Sequence, residues 1–169
     1  NMNNKKFDEA TKYSMSVSKA IALWKENMAL DSLNLLKDLL KTSENTYAYE
    51  TLTTLLIMNK NYDEALEYIK KGLDYNKDSK VLLSNEAEVY YKLGNFQKSE
   101  ELFKPLIESK VNFAEPYYYT GLLAKERGER EKAIELLEKV IDCNDSLLTT
   151  VSKEETQEIL GPLYDEEDK

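Results

Sequence analysis

Apolar side chains recur at steps of three and four along nearly the whole chain, in runs separated by short polar breaks. Phe7, Ala10, Ser14, Val17, Ala20, Ile21 and Trp24 share one face of a 3.6-residue period and predict one long amphipathic helix over 7–26. The stretch Lys6-Phe7-Asp8-Glu9-Ala10 also mimics Asn61-Tyr62-Asp63-Glu64-Ala65, which would make it the second helix of a truncated unit; the single helix is preferred. A helix over 29–41 follows, with Leu33, Leu36, Leu39 and Leu40 on its buried side. Three pairs come next, 47–58 with 62–75, 81–93 with 96–109, and 115–127 with 130–142. Asn61 and Glu64 are spaced for an N-cap and return bond, and Pro116 falls in a first turn, where a missing N–H costs nothing. Ser152-Lys153-Glu154-Glu155 is a capping box that opens a last helix to about residue 160, where Gly161-Pro162 is expected to interrupt it. Val151, Ile159 and Leu163 are available to cover the end of the preceding pair, leaving Glu154, Glu155 and Glu158 to water.

Laid over itself at an offset of 34 residues, the stretch 80–147 superposes on its own second half, the signature of a stacked helical repeat. With units counted from Tyr13, Thr46, Lys80 and Ala114, position 8 is Ala20, Thr53, Ala87 and Gly121, and position 20 is Ser32, Ala65, Ser99 and Ala133. All are small, as two helices require where they cross closely. Position 24 (Leu36, Ile69, Phe103, Leu137) and position 28 (Leu40, Leu73, Ile107, Ile141) are large and apolar and fill the space between hairpins. Pro105 lies inside the second helix of the third unit; its equivalents Lys71 and Lys139 place it toward solvent, where water satisfies the freed Glu101 carbonyl and a local kink is expected.

These units resemble tetratricopeptide repeats. Gly94 and Gly128 fall at that family's turn glycine, Tyr90 at its first-helix aromatic, and Tyr62 and Phe96 at the aromatic opening the second helix. Unit one departs: it is one residue short, carries Lys19 where Leu is usual and has no turn glycine. Glu86 and Thr120 also replace the usual Leu, and no unit ends in the customary proline. The resemblance implies an all-α fold, a right-handed α-α superhelix of stacked helix hairpins with a C-terminal capping helix. Its expected division is an N-terminal extension (1–12), four repeats (13–45, 46–79, 80–113, 114–147), and a capping helix with an acidic tail (148–169). It also implies a protein-binding scaffold whose first helices line a concave groove for a peptide. The groove positions are Tyr47, Glu50, Thr54 and Ile57, then Val81, Ser84, Glu88 and Tyr91, then Glu115, Tyr118, Leu122 and Lys125. Members that hold chaperone C-terminal carboxylates need Lys, Arg and Asn at set positions. Here Glu50, Thr54, Asn85, Glu115 and Tyr119 stand there, or Val17, Ile21, Thr51, Val81 and Glu86 one unit earlier, so that ligand is not expected. An aromatic and acidic groove suits a protein segment carrying basic and apolar side chains, because Tyr faces attract cations with about 0.5–2 kcal/mol each.

Composition narrows the alternatives. Five Gly and three Pro leave little room for an all-β fold with many tight turns. Of the net charge of −9, residues 148–169 contribute −5, and no Lys/Arg cluster appears, so no nucleic-acid ligand is expected. No apolar run approaches the roughly 20 residues of a membrane span. The first residues lack the apolar core of a signal peptide, and an Asn ahead of Met fits a cut made within a longer protein. The chain has no histidine and no Gly-rich phosphate loop, and its adjacent carboxylates Glu100-Glu101, Glu154-Glu155 and Glu166-Glu167 do not converge on one point. No enzyme activity, cofactor or metal is therefore expected. The single cysteine, Cys143, cannot close an internal disulfide and is read as packing. The competing roles are a structural or self-assembly subunit and a regulatory domain of a larger protein.

Overall fold

The computed structural model describes residues 2–165, with side chains from Ser14 onward. Its elements are α1 (Met2–Lys25), α2 (Ala29–Thr42), α3 (Thr46–Met58), α4 (Tyr62–Tyr75), α5 (Lys80–Lys92), α6 (Phe96–Glu108), α7 (Glu115–Glu126), α8 (Arg130–Asp142) and α9 (Lys153–Asp165); no strand occurs among the described residues. The N-terminal run is one helix, as its periodicity predicts. The side chains of Phe7 and Ala10 and the acidic pair Glu166-Glu167 lie outside the described part. Val17, Ala20 and Ile21 are buried, but Ser14 is exposed. The 24-residue α1 is longer than the 14-residue α2 that pairs with it, so its N-terminal half extends past that cover.

The chain divides into two compact units, residues 1–82 and 83–169. In the first, Ala20 and Thr53 meet Ser32 and Ala65, all fully buried, and the Ser32 hydroxyl donates to the Ala20 carbonyl at 2.5 Å. In the second, Ala87 and Gly121 answer to Ser99 and Ala133, again buried. The small positions are buried in every hairpin, and the large residues at position 24 (Leu36, Ile69, Phe103, Leu137) have no exposed surface.

Every hairpin turn is built alike. Met28 N–H bonds Leu23 O at 2.9 Å and Asn27 N–H bonds Trp24 O at 3.1 Å; Asn61 and Lys60 do the same to Leu56 and Ile57. In the second unit, Asn95 with Gly94 and Glu129 with Gly128 repeat the pattern. This double bond ends a helix only when the turn residue is left-handed, and φ is 64° at Asn27, 63° at Lys60, 85° at Gly94 and 77° at Gly128. Units one and two therefore keep the turn without the glycine, at a steric cost. Asn tolerates that region better than Lys, so Lys60→Gly is expected to stabilise the chain by about 1 kcal/mol. A urea-unfolding midpoint that rises checks this, and an unchanged or lower midpoint contradicts it.

Two sequence expectations need correcting. The Asn61 side chain makes no cap bond; its Oδ1 accepts from Asn59 Nδ2 at 2.6 Å, whereas Asn95, one repeat later, does cap, accepting from Lys98 N–H at 3.3 Å. Gly161-Pro162 does not interrupt the last helix, which continues to Asp165. Pro162 is exposed, so the Glu158 carbonyl it leaves unbonded is free to take water. The last turn is held from outside, by Leu163 buried in a cluster with Leu160, Leu137, Ala133 and Ala124, by Arg130 Nε donating to Leu163 O at 2.7 Å, and by Tyr164 OH donating to Glu138 at 2.6 Å. Ser152 does cap α9, accepting from Glu155 N–H at 3.2 Å, and Glu154, Glu155 and Glu158 face water. Pro105 is exposed within α6, which runs on to Glu108.

Candidate binding faces

In the first unit, α3 starts under a side-chain cap, Asn45 Oδ1 accepting from Ala48 N–H at 3.1 Å. Tyr47, in its first turn, is 51% exposed. Glu50, one turn on, is half-buried; it accepts from Ser79 Oγ at 3.4 Å, and burial pushes its carboxyl above the usual range. Thr54 is also half-buried, and its hydroxyl donates to Glu50 O at 2.8 Å. Ile57 is buried. The α3 face thus presents an open aromatic ring beside a carboxylate.

The second unit differs from expectation. Ser84 and Glu88, placed by position counting on an open groove, are 2% and 1% exposed. The chain itself covers Glu88: between α8 and α9 the irregular segment 144–152 turns back over α5 and α7. Thr149 Oγ1 donates to Glu115 Oε1 at 2.6 Å, Thr150 Oγ1 donates to Glu88 Oε1 at 2.9 Å, and Thr150 Oγ1 lies 2.9 Å from Tyr119 OH. Because the Thr150 proton is directed at Glu88, Tyr119 is the donor in the last bond. Val151 then enters the core beside Phe103, Tyr119 and Ala87. Burial, and after it the charge of Glu115, push the Glu88 carboxyl up to about 8, against the opposing pull of Thr150, Lys92 and Tyr119. Glu88 is therefore largely protonated at neutral pH. Its Oε2 and the Ser84 hydroxyl have no hydrogen-bond partner.

Around this point the aromatic rings are packed, not loose. Tyr119 holds Tyr91 at 4.8 Å and Tyr118 edge-on at 5.1 Å between ring centres, stacks on Phe103 at 6.1 Å, and carries the Lys92 ammonium 5.2 Å from its centre. Tyr91 also meets Phe96 at 5.2 Å. Tyr91, Tyr118, Leu122 and Glu115 remain half-buried, and Lys125 is exposed. Position counting along the first helices missed Thr149, Thr150 and Tyr119. The two threonines lie in a stretch without periodicity, so nothing in the sequence tells which face it covers.

Residues 56–126 match the family model for the tetratricopeptide repeat. That stretch is tetratricopeptide repeat, and the chain is similar to tetratricopeptide-repeat proteins along most of its length. It is 27% identical over 131 residues to TPR repeat-containing protein MJ1428 of Methanocaldococcus jannaschii, a match covering 75% of this chain and 22% of that protein. The chain thus spans less than a quarter of the length of that curated relative. Among solved structures, TTC0263, a thermophilic TPR protein of Thermus thermophilus, shares the fold with a TM-score of 0.69 at 18% identity over 89% of this chain and 80% of that one. MamA from Desulfovibrio magneticus RS-1 does so with a TM-score of 0.63 at 16% identity over 92% and 85%. Tetratricopeptide repeats are in general non-enzymatic scaffolds for protein–protein interaction. Among the described residues no group of His, Cys, Asp or Glu side chains is placed to hold a metal, and no helix is long and apolar enough to cross a membrane.

Proposed function

We propose that each unit of this tetratricopeptide-repeat chain binds a segment of another protein on the face of its first helices, and that such a segment carries basic side chains between apolar ones. The residues assigned are Tyr47, Glu50 and Thr54 on the first unit and Tyr91, Glu115, Tyr118, Leu122 and Lys125 on the second. The observation that carries the reading is the Tyr119-centred cluster, in which Tyr91 and Tyr118 are fixed by ring contacts yet stay half-exposed, with the carboxylates of Glu126 and Glu155 acting on them in turn. Rings already immobilised lose little entropy on binding, and their faces take both aliphatic and cationic groups. Glu88 belongs to this site only when the covering segment is displaced, and Ser84, buried in α5, is left out of it.

Because Tyr91 and Tyr118 pack against Tyr119, truncating them would unsettle the core, so the informative variants lie elsewhere. Tyr47→Ala is expected to weaken binding of a Lys/Arg-containing peptide selected against the full chain by about tenfold, the size of an aromatic anchor, with thermal unfolding unchanged. Lys125→Glu should tighten the same peptide and steepen its salt dependence. Titration calorimetry reads both; an unaffected affinity in both variants contradicts the proposal.

A further inference from the structure

We infer that the segment 144–152 is an internal ligand of the α5/α7 face, held in place of a partner and displaced by a protein segment that brings a Lys or Arg side chain next to an aliphatic one. This rests on the binding reading above and names the regulation of that same face.

The bonds made by the segment are those of a ligand. Two successive hydroxyls, Thr149 and Thr150, reach carboxylates on two different helices, Glu115 of α7 and Glu88 of α5, and the next residue, Val151, is buried in the core cluster that holds Phe103 and Tyr119. The fit is incomplete: Glu88 Oε2, on a side chain 1% exposed, has no partner, and neither has the Ser84 hydroxyl. A neutral hydroxyl supplies one donor, whereas an ammonium or guanidinium supplies several, reaches both Glu88 oxygens and the Glu115 carboxylate, and by its charge draws the Glu88 carboxyl back to the ionised form. Lys92 is the cation facing Glu88, and it lies over the Tyr119 ring.

Release does not require the last helix to unfold. The two ends of the segment are tied to each other by Lys153 Nζ, which donates to Cys143 O at 2.5 Å and pairs with Asp145 at 3.0 Å. The helix beyond is held on α8 by Leu160, Leu163 and the Arg130 bond. Between those anchors Leu147 is 73% exposed, so the first part of the segment contributes little burial.

The test uses the full chain with 147–151 replaced by Gly and Ser at equal length, titrated calorimetrically with a synthetic peptide of residues 145–152 and with the same peptide carrying Thr150→Lys. The replaced chain is expected to bind both, the Lys peptide more tightly, and wild type to bind each at least about tenfold more weakly, because its own segment competes at high effective concentration. Equal binding by wild type and a replaced chain with native circular dichroism, or no binding by that chain, overturns the inference. If the replaced chain fails to fold, Thr150→Val in the intact chain keeps the question decidable by hydrogen exchange. Amides of 147–151 should then exchange about tenfold faster while those of 156–163 stay protected; joint loss of protection overturns the inference. A basic peptide that binds wild type and the replaced chain equally would sink the internal ligand and leave the binding proposal standing. A Tyr47→Ala chain that binds its own selected peptide normally would sink the binding proposal for α3 and leave the internal ligand standing.

Discussion

Glu88→Gln is expected to remove most of the loss of stability that the wild-type chain shows between mildly acidic and mildly alkaline pH. The folded state raises the Glu88 carboxyl from the ordinary 4.5 to about 8. Across that window the folded chain holds a proton that the unfolded chain has released, so stability from this group is full below about pH 4.5, falls as pH rises, and is gone above about pH 8. Gln keeps a carbonyl to accept from Thr150 and carries no charge. At about pH 5 the two chains should be similar; at about pH 8.5 the variant should be more stable by on the order of 3 kcal/mol, since each tenfold change in proton affinity is worth about 1.4 kcal/mol. Urea unfolding at both pH values measures it. Equal pH dependence in the two chains would show that Glu88 is charged in the folded state.

Gly72→Ala and Gly161→Ala are expected to move stability in opposite directions although both sit in helices. A Cβ at Gly72 would lie 2.7 Å from Leu82 Cδ1 and 3.1 Å from Tyr49 Cβ, and the second of these is rooted in the α3 backbone. Overpacking of this kind costs about 1–3 kcal/mol, more than the roughly 1 kcal/mol that Ala gains over Gly in a helix. At Gly161 no atom beyond its chain neighbours and its own helix backbone lies within 4 Å, but the Pro162 ring crowds a Cβ placed before it in a helix, so only part of the propensity gain should appear, about 0.3 kcal/mol. A lowered urea midpoint for the first and a raised one for the second fit this packing. Two raised midpoints would show that α4 has room at Gly72.

The fold was legible in the sequence because a stacked hairpin repeats its constraints. Small residues at positions 8 and 20 and large ones at position 24 must recur wherever helices cross, and Ala87, Ser99 and Phe103 carry that pattern as openly as Gly121, Ala133 and Leu137. The turns were half legible: Gly94 and Gly128 announce a left-handed residue, but Asn27 and Lys60 adopt the same φ without the signal. The end of α9 was misread because Gly161-Pro162 is a local stop signal, overridden by the tertiary hold on Leu163 and Tyr164. The candidate site was legible only as far as helix periodicity reaches. Counting along α3 and α7 placed Tyr47 and Tyr118 with part of each ring toward solvent, but nothing in the count could show that Thr149 and Thr150 return to Glu115 and Glu88.

The central claim is that a protein segment docks on the α5/α7 face of the second unit in place of residues 144–152. Hydrogen exchange of the full chain, with and without a saturating basic peptide selected by display, tests it most directly. Slowed exchange in 115–125 is expected together with faster exchange in 147–151, as the internal segment gives way. Protection confined to α4, α6 and α8, with 147–151 unchanged, would contradict it and move the binding surface to the second helices of the repeats.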